Sequence, residues 1–351
     1  MNRNSKFIKF AAIALIEIVF AVTGYGADPN YQLKPINLPS ATGPVALDYF
    51  AYDATTGKLW VPASNTGSVD VIEQATDVIS QIKGFPTGEI ERRGRKITVG
   101  PTAASIGNGV VYIGNRGDAT LCVIDAKSLA RLECVPLDQA VTPDGVVYVA
   151  ATRELWITLR PRTGDGTAAK SLAIFDASDS QHLKPKTTIP LENLAEGYAV
   201  DDQRGLFYTN IEEAGKTVAI DVRSHKVVAV WNPGSSDLQG LALDSARRFL
   251  FVACGDHVVS LDASHDGKIA DSITTGAGLD NIDYSSERKV VYAAASQAAT
   301  LTVAEVDDHG KFRLKATIPT VKGARSVVAG KGETAYLIDP AQGRILKLIQ
   351  K

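Results

Sequence analysis

A three-residue signal, an aromatic inside a short apolar run, returns seven times along the chain. The triplets are Leu59-Trp60-Val61, Val111-Tyr112-Ile113, Leu155-Trp156-Ile157, Leu206-Phe207-Tyr208, Leu250-Phe251-Val252, Val291-Tyr292-Ala293 and Ala335-Tyr336-Leu337. Successive aromatics stand 52, 44, 51, 44, 41 and 44 residues apart. A period of this size, made of several short strands, is the pattern of a β-propeller blade, and seven copies make seven blades. The expected fold class is all-β, a seven-bladed β-propeller of four-stranded antiparallel blades. Length alone, 351 residues, suggests two or three domains. Blades bury their faces only against neighbouring blades, however, so the ring is one unit.

Turn residues separate the apolar runs inside each repeat, as hairpins require. Blades are expected at about 44–88, 101–137, 142–191, 194–234, 238–276, 279–320 and 324–351. Six of the third strands end in an acid: Glu73, Asp125, Asp176, Asp221, Asp262 and Glu305. Acids at turns cap backbone amides, so a structural role is expected of them. The seventh blade runs out of chain after three strands. Residues 35–40 resemble the outer strands elsewhere and directly precede the first blade, so they are expected to pair beside residues 343–350 and close the ring. Closure removes the free edges of an open sheet.

Residues 1–27 read as an export signal. Arg3, Lys6 and Lys9 precede an apolar stretch at 10–22, and small residues follow at 24–27. That stretch carries Glu17 and is shorter than the roughly 18 residues of a spanning helix. A periplasmic or secreted protein is expected, with no membrane span in the mature chain. Three cysteines suit an exported protein without a disulfide scaffold. Cys122 and Cys134 lie symmetrically about Ser128 in one expected hairpin; facing each other, their Cα atoms would come within about 4.4–6.8 Å. Cys254 is expected as a buried small hydrophobe. Net charge is −2, so no global basic footprint for nucleic acid is present. No Cys-x-x-Cys-His occurs, which excludes covalent haem, and no nucleotide cofactor is expected. His182, His225, His265 and His309 fall in turns expected at the far mouth, and only His257 could approach the other side. No Gly-x-Ser-x-Gly elbow occurs.

The repeat resembles the YVTN family of seven-bladed propellers. The resemblance rests on Ala51-Tyr52-Asp53, Leu59-Trp60-Val61-Pro62, Asn65, Val69-Asp70-Val71-Ile72, Leu241-Ala242-Leu243-Asp244 and Phe251-Val252-Ala253, and it covers about residues 31–351. Gly107 and Gly330 depart from the pattern, standing where an acid closes the first strand of other blades. The resemblance implies an exported seven-bladed fold. It leaves function open, because exported proteins of this kind include binding, DNA-binding and surface-layer proteins, and related folds include lactonases and quinoprotein dehydrogenase subunits.

Aligning the starts of the innermost strands places Asp48, Thr102, Asp144, Glu196, Gln239, Asp280 and Arg325 around one mouth of the channel. Four carboxylates with Asn281 and Gln239 are the oxygen ligands that Ca²⁺ or another divalent cation requires. Crowded carboxylates also raise one another's pKa. Glu196-Gly197 and Asp280-Asn281 are similar to metal-ligand words of gluconolactonase-type propellers. A second reading gives the acids a role as acceptors of strand amides, with Arg325 as counter-charge. Two long loops flank the same mouth. Residues 84–100 carry Glu89, Glu91, Arg92, Arg93, Arg95 and Lys96, and residues 159–171 carry Arg160, Arg162 and Asp165. With Arg116 they would form a basic rim, and loops on a rigid scaffold are where recognition sits. The expected metal ligands are Asp48, Asp144, Glu196, Asp280 and Asn281; the expected ligand contacts are Arg325, Gln239, Arg92, Arg160 and Arg116. Two functions remain open: a binding protein, monomeric, for a small molecule or protein (a nucleic-acid backbone being a weaker candidate), and a metal-assisted hydrolase of lactonase type.

Overall fold

The computed structural model describes residues 30–92, 94–162 and 166–351, so the expected export segment lies outside the described residues. Seven four-stranded antiparallel sheets make up the ring. The blades span 51–83, 101–136, 141–190, 195–231, 238–274, 279–319 and 327–350, the last completed by 31–37. All seven repeat aromatics are buried, six of them fully. They anchor interfaces between blades. Buried apolar residues fall into seven clusters, and each cluster joins two neighbouring blades around the ring. No blade has a core of its own, which is why the repeat has to close.

Closure follows the expected plan with a shifted boundary. The closing strand is Tyr31–Asn37, antiparallel to Arg344–Gln350 with Tyr31 opposite Gln350 and Asn37 opposite Arg344. Residues 38–40 leave the strand, although Leu38 still donates its amide to Gly343. The strand serves two interfaces. Ile36 and Leu38 are buried between blades 7 and 1, while Tyr31 and Leu33 pack against the core between blades 6 and 7. Pro35 lacks an amide to donate and sits in the outermost strand of its sheet, where none is needed.

Turn acids act as expected where they are aspartates. Asp125, Asp176, Asp221 and Asp262 each accept backbone amides two or three residues ahead. The two glutamates differ because their longer side chains reach other groups: Glu73 accepts the Thr76 hydroxyl and Glu305 pairs with Arg313. Cys122 stands directly opposite Cys134 across the hairpin of blade 2, and the two form a disulfide with Cα atoms 4.0 Å apart, slightly closer than the expected range. Cys254 is buried, and burial pushes its thiol pKa up to about 12.

Residues 84–100, expected as a loop, form a two-stranded hairpin instead, Gly88–Arg92 with Arg95–Val99. Arg160 is likewise in a strand, Glu154–Pro161.

Candidate functional site

Five inner strands carry a register shift near their starts. In blades 3 to 6 the shift lies at Pro143/Val146, Glu196/Ala199, Leu238/Leu241 and Leu279/Ile282, beside the residue expected at the mouth. A bulge re-aims a side chain out of the regular alternation, and here it turns Asp144, Glu196, Gln239 and Asp280 toward the axis. The glycines that follow are required by crowding. Gly197 has φ +64°, and a Cβ there would lie 2.7 Å from the Gln239 carbonyl oxygen of the next blade. A Cβ on Gly240 would lie 2.6 Å from the Asp280 carbonyl oxygen. Inner strands therefore touch around the axis, and only glycine permits that approach.

The result is a cavity of about 360 Å³ that receives a side chain from every blade. Asp48 and Tyr49 come from blade 1, Arg116 from blade 2, Asp144 and Arg160 from blade 3, Glu196 from blade 4, Gln239 from blade 5, Asp280 from blade 6 and Arg325 from blade 7. The hairpin between blades 1 and 2 adds Ile90 and Glu91. The expected ring is thus largely present, with three differences. Thr102 is buried and directs its hydroxyl to the Gly114 carbonyl, so Arg116 represents its blade. Asn281 faces a second cavity on the other side of Tyr49, with its amide nitrogen 3.3 Å from Ser326 Oγ. His257 pairs with Asp256 and does not line the site. Arg92 lies in the hairpin strand, and its side chain is not described.

Arginines organise the carboxylates into two groups. Arg160 bridges Asp144 at 2.9 Å, Glu212 at 2.7 Å and Glu196, while Arg116 pairs with Asp144 and donates Nε–H to the Pro143 carbonyl at 3.1 Å. Arg325 spans Asp48 at 3.2 Å and Asp280. This corrects the expected basic rim, since Arg116 and Arg160 stand inside the site as counter-charges. It also differs from the arrangement expected of metal ligands. Guanidinium groups gather the carboxylates into two groups, around Arg160 and around Arg325, and among the described residues no group of three or more His, Cys, Asp or Glu side chains could hold one ion.

Burial pushes the Asp280 carboxyl up to about 6 despite Arg325, with Asp48 and Glu196 adding repulsion. Burial likewise raises Glu196 against the pull of Arg160. The Tyr49 hydroxyl donates to Glu196 Oε1 at 2.9 Å, and burial, then the Glu196 charge, hold its own pKa far above the phenol range. Tyr49 stacks on Tyr198 with ring centroids 5.6 Å apart, and Tyr198 donates its hydroxyl to the Val146 carbonyl at 2.9 Å. The sequence expectations assign this pair no role. The signal was present as an aromatic just after the mouth acid in Asp48-Tyr49 and after the bulge glycine in Gly197-Tyr198.

In comparisons with known proteins, no family matches the sequence, so the YVTN resemblance rests on the residues quoted for it. No curated protein matches in sequence either. Solved structures do match in shape. A chain in the crystal structure of the mitotic checkpoint complex is similar at 12% identity and TM-score 0.70, with 99% of each chain covered. Hydrazine synthase of Kuenenia stuttgartiensis is similar at 13% identity and TM-score 0.66 over 88% of this chain and 96% of the other. A streptogramin B lyase structure is similar at 12% and 0.65 over 92% and 98%. At such identities the likeness concerns the fold alone, and together with the seven four-stranded sheets it makes this chain a seven-bladed β-propeller.

Proposed function

We propose that the protein is an exported binding module of YVTN type, and that its ligand enters the seven-blade mouth and presents positive charge there. The observation that carries the reading is the composition of that one cavity. Its lining holds five carboxylates, Asp48, Glu91, Asp144, Glu196 and Asp280, against three guanidinium groups, Arg116, Arg160 and Arg325. Five acids less three arginines leave an excess of two negative charges. A cleft lined with one excess sign concentrates the opposite charge. The arginines, already paired, serve to hold the acids at fixed spacing, and rigid placement lowers the cost of binding. No observation favours the metal-assisted hydrolase over this reading.

A thermal-shift series tests it, because a ligand that binds only the folded state raises the melting temperature by mass action. Argininamide is expected to raise it, and glutamate is not. The Glu91→Gln/Asp280→Asn double variant is expected to shrink the argininamide response. Absence of any shift with argininamide would sink the reading. A rise with CaCl₂ alone, abolished in the same double variant, would replace it with the metal site.

A further inference from the structure

Below the Tyr49–Tyr198 pair the channel opens into a second chamber of about 370 Å³, lined by six of the seven blades' inner-strand segments other than that of blade 3. Four of its lining residues, Ala51, Ser105, Asp283 and Val328, share one repeat position, the inner-strand residue opposite the blade aromatic. Register gives that position in each blade as Ala51, Ser105, Val147, Val200, Ala242, Asp283 and Val328. Five are aliphatic, one is a hydroxyl and one is a carboxylate.

The backbone does not require that carboxylate. Asp283 Oδ2 accepts the Ala329 amide of the next blade at 2.8 Å, and Oδ1 accepts the Tyr284 amide at 2.8 Å. Ser105 performs the same lateral task without charge, accepting the Tyr148 amide of its next blade at 2.9 Å. A hydroxyl therefore suffices. The mouth acids Asp48, Asp144, Glu196 and Asp280 are each paired with an arginine, whereas among the described residues Asp283 bonds to two amides and to no cation. Asp283 is half-buried, with part of its surface left open to the chamber, and a partly desolvated carboxylate without a counter-charge is costly. Each of its oxygens retains acceptor capacity beyond the single amide it takes. The same chamber is lined by Ser326, which can accept a further donor, and by the aliphatic side chains of Ile106, Leu241 and Val328.

We propose that this lower chamber binds a small alkylammonium ion, with its ammonium on Asp283 and its alkyl chain against the aliphatic lining residues. Asp48 and Tyr49 line both cavities, but Asp283 lines the lower one alone, so either proposal can fail without the other. The volume is in the range of small-ligand pockets.

Calorimetric titration with primary alkylammonium ions from ethyl to hexyl, against the alcohols of equal length, tests the proposal. In the wild-type protein the ions are expected to bind at least tenfold tighter than their alcohols. Affinity is expected to rise about fourfold per added methylene until the chamber is full. Asp283→Ser, which copies the residue of blade 2, is expected to lose the preference for the ion, keep the affinity for the alcohols and keep the argininamide response of the mouth. Asp283→Asn serves in the same way should the serine variant melt early. Equal binding of ion and alcohol to the wild type, undiminished ion binding in both variants, or no binding of any ion overturns it.

Discussion

Asp70 is fully buried in the strand Ser68–Glu73; one oxygen accepts Gln81 Nε2 at 2.7 Å and the other has no hydrogen-bond partner. Burial raises its pKa to about 6, more than the Gln81 bond lowers it. The folded value lies above the unfolded one, so the charged form is what folding disfavours. Below about pH 3 the group is protonated in both states and costs nothing; as pH rises through 6 the cost grows to the order of 3 kcal/mol. Asp70→Asn should accordingly be more stable than wild type at pH 8, with the difference vanishing by pH 3, as read from urea midpoints. Arg325 poses the opposite case. Arg325→Met leaves Asp48 and Asp280 without their shared counter-charge, and a loss of about 3 kcal/mol at pH 7 is expected. That loss should shrink toward pH 5 as Asp280 takes up a proton; an equal loss at both values would mean that packing, and not charge, is what Arg325 supplies. Residues of this kind were only partly legible in the sequence. Asp48, Asp144, Glu196, Gln239, Asp280 and Arg325 could be found because the repeat fixes where an inner strand begins. Arg116 and Arg160 could be placed at the mouth, but their direction depends on ion pairs with Asp144 and Glu196 that form between segments far apart in sequence.

Bulges and hairpins decide where the site's side chains point. Gly197 holds a left-handed conformation against the next blade's backbone. Gly197→Ala should cost about 1–3 kcal/mol from the strained φ alone and should weaken argininamide binding by moving Glu196. A variant that is destabilised but binds normally would separate the bulge from the site. In blade 2 the Cys122–Cys134 disulfide joins strands already paired in register. It closes a loop of 12 residues by sequence separation, for which chain entropy gives about 3 kcal/mol. Denatured, non-reduced protein should show one free thiol, that of Cys254, and reduction should lower the urea midpoint; three thiols without reductant would contradict the bond. The hairpin at 88–99 is hard to see in the sequence because its apolar alternation is short, Ile90 on one strand and Ile97 and Val99 on the other, and its turn is rich in arginine. Charge masked a strand pattern that only pairing reveals.

The ring as a whole stands on seven interfaces, and the strand Tyr31–Asn37 contributes to two of them. Ile36→Ala should therefore lower global stability by about 2–4 kcal/mol, and removal of residues 30–41 should lower the melting temperature steeply; an unchanged melt of that deletion would show that the ring holds without its closing strand. The repeat made this architecture readable from seven aromatics, since a blade position that is always buried cannot drift in sequence. The closing strand also sets a schedule. Asn30 accepts the amide of Lys351 at 2.8 Å, so the earliest described strand to be synthesised has to wait for one of the last before it finds its partner. Until then Ile36 and Leu38 lack the blade 7 half of their cluster, and blade 1 lacks one flank. A growing chain can assemble the blades between, but the finished molecule is a product of completed synthesis, and a chain stalled before residue 344 would remain a substrate for chaperones and proteases rather than a smaller version of the protein.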